Sequence, residues 1–268
     1  MRYLLPLLFA WAAWGAPSEK VIFSLEKDAE ESHLDPIAIL RGGKFLEPAS
    51  GKDGVALGKG ALAFFDRYYA KEATYRVLEG GSVQVKDCSS AQMLANEIAV
   101  GGSGAWSMSA SAVAPAMARP RGLALNFEPE GAREPAKAAS NDQKARFLAA
   151  FKRGPGKSLK WLPRARVTEL VSTDLDHDGR AEWIGTLKGG QSDYLTGALM
   201  VTGPSGQSLL ERSGGSQYYE YLDSLDCDGD GVDELFFRRN GEGGWNYIIF
   251  QRKNGTWKSV YSGGGGGC

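Results

Sequence analysis

Asp174-Leu-Asp-His-Asp-Gly-Arg-Ala-Glu-Trp183 and Asp226-Cys-Asp-Gly-Asp-Gly-Val-Asp-Glu-Leu235 are two copies of one pattern. Numbered from the first aspartate, the acids at positions 1, 3, 5 and 9 coincide, as does the glycine at position 6. The second copy starts at an offset of 52 (226 − 174). A second anchor follows each loop: Gly206 and Ser213-Gly214-Gly215 align with Gly255 and Ser262-Gly263-Gly264, at an offset of 49 (255 − 206). Two anchors in the same order mark a duplicated unit of roughly 50 residues, the size of a propeller blade or a similar β-module.

Each unit reads as four strands, over 166–172, 181–187, 194–202 and 208–212 in the first and 218–224, 234–239, 245–252 and 256–261 in the second. Pro204-Ser205-Gly206 and Asn254-Gly255 lie between the last two strands, and Asn-Gly suits the positive backbone angles of a two-residue hairpin turn. Each unit is therefore predicted to be an antiparallel four-stranded meander, in a fold that is mainly all-β with a β-propeller-like C-terminal half.

The acid spacing points to a metal. Alternate residues of a tight loop can face inward, so carboxylates at positions 1, 3 and 5 converge, and glycine at position 6 permits the turn. The expected ligands are Asp174, Asp176, Asp178 and Glu182 with the Arg180 carbonyl, then Asp226, Asp228, Asp230 and Glu234 with the Val232 carbonyl. All-oxygen cages of flexible geometry suit calcium, whereas zinc takes nitrogen or sulfur. Two calcium (Ca2+) sites are expected. His177 and Cys227 occupy even positions, which point away from the ion. An EF-hand needs glutamate at position 12 and flanking helices; here that position holds Gly185 and Phe237, within strand-like stretches.

The two loops and the strand following each resemble FG-GAP/VCBS-type repeats, the calcium-loop repeats of integrin α-chain N-terminal propellers, over about 166–268. The resemblance implies a β-propeller-like, calcium-binding module of secreted and cell-surface proteins, often serving adhesion or ligand binding. Two features depart from it. A complete propeller needs several blades and two are visible, and no clear Phe-Gly and Gly-Ala-Pro pair stands at the expected places. The N-terminal half holds either degenerate blades or an unrelated β-domain.

The remainder of the 268 residues sets bounds. A hydrophobic share of 43% excludes disorder as the overall state, and 36 glycines with 10% aromatics favour short strands and tight turns. A net charge of −1 offers no basic excess for nucleic acid or an anionic membrane. Arg2 followed by an apolar run and Ala13-Trp14-Gly15 reads as a signal peptide over 1–15, with no membrane insertion after its removal. A β-rich domain of unknown type is expected over 16–135, with strands at 21–25, 74–78, 82–85, 98–100 and 123–127; the stretch 60–70 reads as either helix or strand. A linker helix over 136–158 separates it from the repeats at 159–268 (about 166–215 and 218–264), its core at 141–152 capped by Ser140 or Asn141.

Three cysteines in an exported chain allow one disulfide, for which Cys88 and Cys268 are the preferred pair because Cys227 lies inside a tight loop. Tyr218, Tyr219, Tyr221, Trp245, Tyr247 and Trp257 crowd the last repeat, chiefly as sheet-to-sheet core, while the run 263–267 reads as a flexible tail. Gly101-Gly-Ser-Gly104 lacks the spacing of a nucleophile elbow, and with only His33 and His177 no catalytic set is assembled. The expectation is a secreted or periplasmic binding or adhesion module with an unknown protein or carbohydrate ligand and no catalysis. The alternative is an extracytoplasmic hydrolase or sugar-processing enzyme that uses the calcium loops as supports.

Overall fold

The computed structural model describes residues 19–28, 31–102, 107–129, 135–154, 157, 164–191, 194–203, 206–212 and 216–267. The expected signal peptide, 1–15, and Cys268 lie outside these residues. Among the described residues the chain is mainly β, with three helices.

The N-terminal strands are β1 (Lys20–Lys27), β2 (Ser32–Arg41), β3 (Lys44–Leu46), β4 (Thr74–Val77), β5 (Ser82–Asp87), β6 (Ala110–Val113) and β7 (Arg121–Leu125). In the order β1-β7-β4-β5-β6-β2 they close through the β1–β2 pairing into a six-stranded antiparallel barrel, with β3 attached to β2. Side-chain alternation divides the apolar residues of the barrel. Val21, Phe23 and Leu25 join Val83, Val85 and Ala124 in one core, whereas Ile22, Ala38, Leu40, Leu123 and Leu125 belong to another.

Two helices complete the first core. α1 (Gly54–Tyr68) starts where the Asp53 side chain accepts the Ala56 N–H at 2.9 Å, and it buries Ala61, Phe64, Phe65 and Tyr68. Each buried aromatic contributes about 2 kcal/mol. The ambiguous stretch 60–70 is thus helical through Tyr68. α2 (Ser89–Ala99) buries Ala91, Ala95 and Ile98 at helical spacing. Gly58 of α1 lets the two backbones touch, since a Cβ there would lie 2.5 Å from Ala99 N. The strand expected over 98–100 is corrected: Ile98 and Ala99 form the last turn of α2, because their apolar pattern continues the spacing of Ala91 and Ala95.

The repeats follow. β8 (Lys137–Ala138) and α3 (Asn141–Arg153) precede β9 (Arg166–Thr173), β10 (Glu182–Gln191), β11 (Tyr194–Gly203) and β12 (Gly206–Arg212). Then come β13 (Tyr218–Leu225), β14 (Glu234–Gly241), β15 (Gly244–Lys253) and β16 (Thr256–Gly267). The sheet orders are β12-β11-β10-β9-β8 and β13-β14-β15-β16, so both repeats are antiparallel meanders as expected, but the first sheet has five strands rather than four because β8, from before the repeat, pairs with the edge of β9. The run 263–267 is not a tail; it pairs with β15, Gly267 lying opposite Gly244. Glycine is required there by close approach. A Cβ on Gly265 would lie 2.2 Å from the Trp245 carbonyl oxygen, and the Gly264 N–H donates to Glu47 Oε2 at 2.9 Å.

The expected propeller is not formed among the described residues. The two sheets do face each other, through Ile184, Leu199 and Val201 against Tyr221, Phe237 and Ile248. Their outer faces, however, are already covered. Phe147 and Phe151 of α3, with its Ser140–Gln143 capping box, pack on Leu170, Leu187, Ala198 and Met200. Gly185 admits this helix, since a Cβ there would lie 2.3 Å from the Phe147 ring. On the other side Leu222, Phe236, Tyr247 and Ile249 pack on the outward residues of the barrel. The layers run helix, sheet, sheet, barrel, and neither outer face is left for a third blade.

Polar contacts tie the layers together. Tyr247 Oη donates to Asp35 Oδ2 at 3.0 Å and Tyr261 Oη to the Ile37 carbonyl at 2.7 Å. Arg119 donates to Glu169 Oε1 at 3.2 Å and to the Tyr221 carbonyl at 2.8 Å. Tyr219, Tyr221 and Tyr247 are buried, as expected of sheet-to-sheet core, while Tyr218, Trp245 and Trp257 are half-buried.

Candidate metal centre

Each acidic loop joins the first two long strands of its repeat, β9 to β10 and β13 to β14. Position 2 anchors it. The Leu175 and Cys227 side chains enter the core, and their N–H groups donate to the position-9 carboxylates, Glu182 Oε2 at 2.9 Å and Glu234 Oε2 at 2.8 Å. Position 1 gathers the turn. Asp174 accepts the N–H groups of Asp178 and Gly179 at 3.1 and 2.8 Å; Asp226 accepts those of Gly229 and Gly231 at 2.7 and 3.0 Å. Gly179 and Gly231 both have φ of 85°, the left-handed conformation that position 6 was expected to need.

These constraints bring three acids together in each loop. One carboxylate oxygen from each of Asp174, Asp176 and Glu182 lies within 4.8 Å of the other two, as does one from each of Asp226, Asp228 and Glu234. The position-5 acids are not part of these sets. Asp178 Oδ1 accepts the Arg180 N–H at 2.8 Å and Asp230 Oδ1 the Val232 N–H at 2.9 Å. Arg180 and Val232, expected to ligate through their carbonyls, thus stand at turns braced by the position-5 side chains.

Burial makes the clusters electrostatically costly. It pushes Glu234 up to about 7, against the pull of the Cys227 N–H and with help from the Asp228 charge. Burial likewise raises Glu182, and Asp176 and Asp174 add to the effect. Glu234 is 1% exposed, and its Oε1 has no hydrogen-bond partner; neither has the buried Asp176 Oδ1. A buried acceptor without a donor costs about 1–3 kcal/mol, and a charged one more. A cation placed among these oxygens would remove that cost. The donor set is all carboxylate, so each triad could hold a metal ion that prefers oxygen ligands.

Four further residues complete the surroundings, none of them visible in the repeat pattern as site residues. Gln251 Nε2 donates to Asp228 Oδ2, and Arg252 donates to Asp176 Oδ2 at 3.1 Å. His177 turns away from its own loop, as its even position suggested, and its Nε2 lies 3.3 Å from Asp233 Oδ1 of the other loop. The Asp233 N–H donates to the Leu175 carbonyl at 2.8 Å. Gln251 and Arg252 escape sequence reading because strand pairing and sheet stacking bring them to the loops. Asp233 is masked by its even position beside Glu234.

The cysteines contribute no ligand to these sets. Cys88 is a half-buried free thiol whose Sγ lies 3.7 Å from the Tyr69 carbonyl oxygen, and burial pushes it up; its expected partner, Cys268, is outside the described residues. Cys227 is also free, and burial, reinforced by Glu234, raises it well above the usual thiol range. Compared with protein-family models, curated proteins and solved structures, the chain matches none.

Proposed function

We propose that this chain is an exported calcium-binding repeat protein of the FG-GAP/VCBS kind, which binds a partner rather than catalysing a reaction. The observation that carries the reading is the pair of equivalent acidic triads, with the buried, unpartnered Glu234 Oε1 in one and Asp176 Oδ1 in the other. Asp174, Asp176 and Glu182 would hold one ion, and Asp226, Asp228 and Glu234 the second. Each ion would neutralise crowded carboxylates and fix the hairpin that carries them. Asp178 and Asp230, with the Arg180 and Val232 carbonyls, remain candidates to complete the shells.

The signal-like stretch 1–15 supports a secreted or periplasmic location, where calcium is plentiful enough for sites of ~10⁻⁴–10⁻³ M affinity. The chain's partner would be a protein or carbohydrate ligand; Trp245 and Trp257 offer it no shared face, because they pack on opposite sides of their sheet. Titration calorimetry of the chain with calcium tests the metal reading. Two bound ions are expected, with Asp176→Ala and Asp228→Ala each removing one. Absence of calcium-dependent heat in the unaltered chain would sink it.

A further inference from the structure

We infer that the two cation sites load in order, the second loop first, and that Asp233 couples them. The inference rests on the calcium reading above and adds to it an inequality and a link.

The inequality comes from the strand opposite each position-9 glutamate. In the first repeat Trp183 pairs with Thr202, so Glu182 faces Gly203, where a Cβ would lie 2.9 Å from Glu182 Cγ. In the second repeat Leu235 pairs with Phe250, so Glu234 faces Gln251. The second loop therefore has a neutral amide of its own sheet to brace Asp228. The first loop has no side chain at the matching place, and its Asp176 is braced instead by Arg252, reaching across from the second repeat. A cation entering the second loop meets an amide dipole. One entering the first meets a full positive charge already held by a ligand carboxylate, which lowers its affinity.

The link runs through the residue preceding ligand Glu234. The Asp233 N–H holds the carbonyl of Leu175, and the Leu175 N–H is held by ligand Glu182. The Asp233 carboxylate is buried, accepts the Ser224 hydroxyl at 2.8 Å and faces His177 of the first loop. An ion that fixes Glu234 also fixes Asp233, which then holds positions 2 and 4 of the first loop in place. Ordering done by the first ion need not be repeated for the second, which is positive coupling, and linkage makes it reciprocal. Couplings of this kind typically change affinity by roughly fivefold or more.

Calcium calorimetry on the full chain at about 0.15 M salt, where distant exposed charges are screened, gives the test. The expected result is two unequal sites. Asp226→Asn should remove the tighter one and weaken the remaining site by about fivefold relative to its affinity in the unaltered chain. Arg252→Gln should strengthen the first site and narrow the gap, a gain that misfolding cannot produce. In Asp226→Asn, calcium in the first loop should still slow hydrogen exchange at the Asp233 amide. Loss of the second site in Asp226→Asn with the first site's affinity unchanged there and in Arg252→Gln would overturn the inference and leave the calcium reading standing. No calcium binding by the unaltered chain would overturn both.

Discussion

His177 Nε2 lies 3.3 Å from Asp233 Oδ1, so a side chain at position 4 of the first acidic loop closes on a buried carboxylate at position 8 of the second. With the Asp233 N–H on the Leu175 carbonyl, this makes the two hairpins one structural unit rather than two separate ion loops. Mutual repulsion of three carboxylates in each loop opposes that unit, and a divalent ion bound among them would relieve it.

Calcium should therefore stabilise the whole chain. With a dissociation constant of ~0.1 mM and 1 mM calcium, each site adds about 1.4 kcal/mol. Two sites give about 3 kcal/mol, or roughly 5–10 °C in melting temperature for a chain of this size. Thermal unfolding in 1 mM calcium and in chelator, followed by tryptophan fluorescence, measures the difference. Coincident curves would count against both sites.

Glu234 gives the chelated protein a pH dependence of definite sign. Its carboxyl is raised from 4.5 to about 7 by burial, so its contribution to stability is complete below about 4.5 and is lost as pH rises through about 7. Between pH 5 and 8 this removes about 2–3 kcal/mol. Glu234→Gln keeps an acceptor for the Cys227 N–H and removes the charge. It should flatten the chelated pH profile, make the chelated protein more stable at pH 8 and abolish the second site. Urea denaturation across that pH range reads all but the last of these, which calorimetry reads.

The glycine strand should tolerate no side chain at its tightest point. Gly265 has φ of 89° and would place a Cβ 2.2 Å from the Trp245 carbonyl oxygen, a backbone atom that cannot swing aside. Gly265→Ala should cost more than about 2 kcal/mol from strain and overpacking together. Gly255, at the β15–β16 turn, also has a positive φ, but a Cβ there meets nothing within 4 Å. Gly255→Ala should cost only about 1–2 kcal/mol, the conformational part alone. Denaturant midpoints for the two variants separate the contributions.

Arg119 joins the barrel to both sheets. Its side chain is 12% exposed, donates to Glu169 and to the Tyr221 carbonyl, and lies over the Tyr221 ring at 4.9 Å. Arg119→Met leaves those acceptors without their donor and should cost about 2–3 kcal/mol, below the full value for a buried pair because Glu169 can rehydrate. Glu169→Gln, which retains an acceptor, should cost less. Equilibrium unfolding followed separately by tryptophan fluorescence and far-ultraviolet dichroism would detect any loss of cooperativity between barrel and repeats.

The chain's local patterns carry much of this structure. The eight repeat strands follow from alternation between turn residues, and α3 follows from Ser140 and the glycine after it, although the face it buries is that of Phe147 and Phe151 rather than that of Ala145 and Ala149, which are exposed. The 98–100 stretch misleads because Ile-Ala-Val looks β-like in isolation, whereas Ile98 and Ala99 continue the helical spacing of Ala91 and Ala95 and pack where Gly58 lets α1 approach. The run 263–267 misleads for the opposite reason. Composition suggests flexibility, but the lack of side chains is what lets the strand lie against the Trp245 and Ile37 backbones.

Sequence by itself determined the two acidic loops, their left-handed glycines at position 6 and the meander that carries each, because all of these depend on residues close along the chain. Tertiary structure decided that the meanders stop at two, that the position-5 acids brace the turn outside the converging triads, and that Gln251 and Arg252 hold the two loops differently. Those outcomes depend on which faces become buried against the barrel and α3, and on partners brought within hydrogen-bonding distance only when the layers stack.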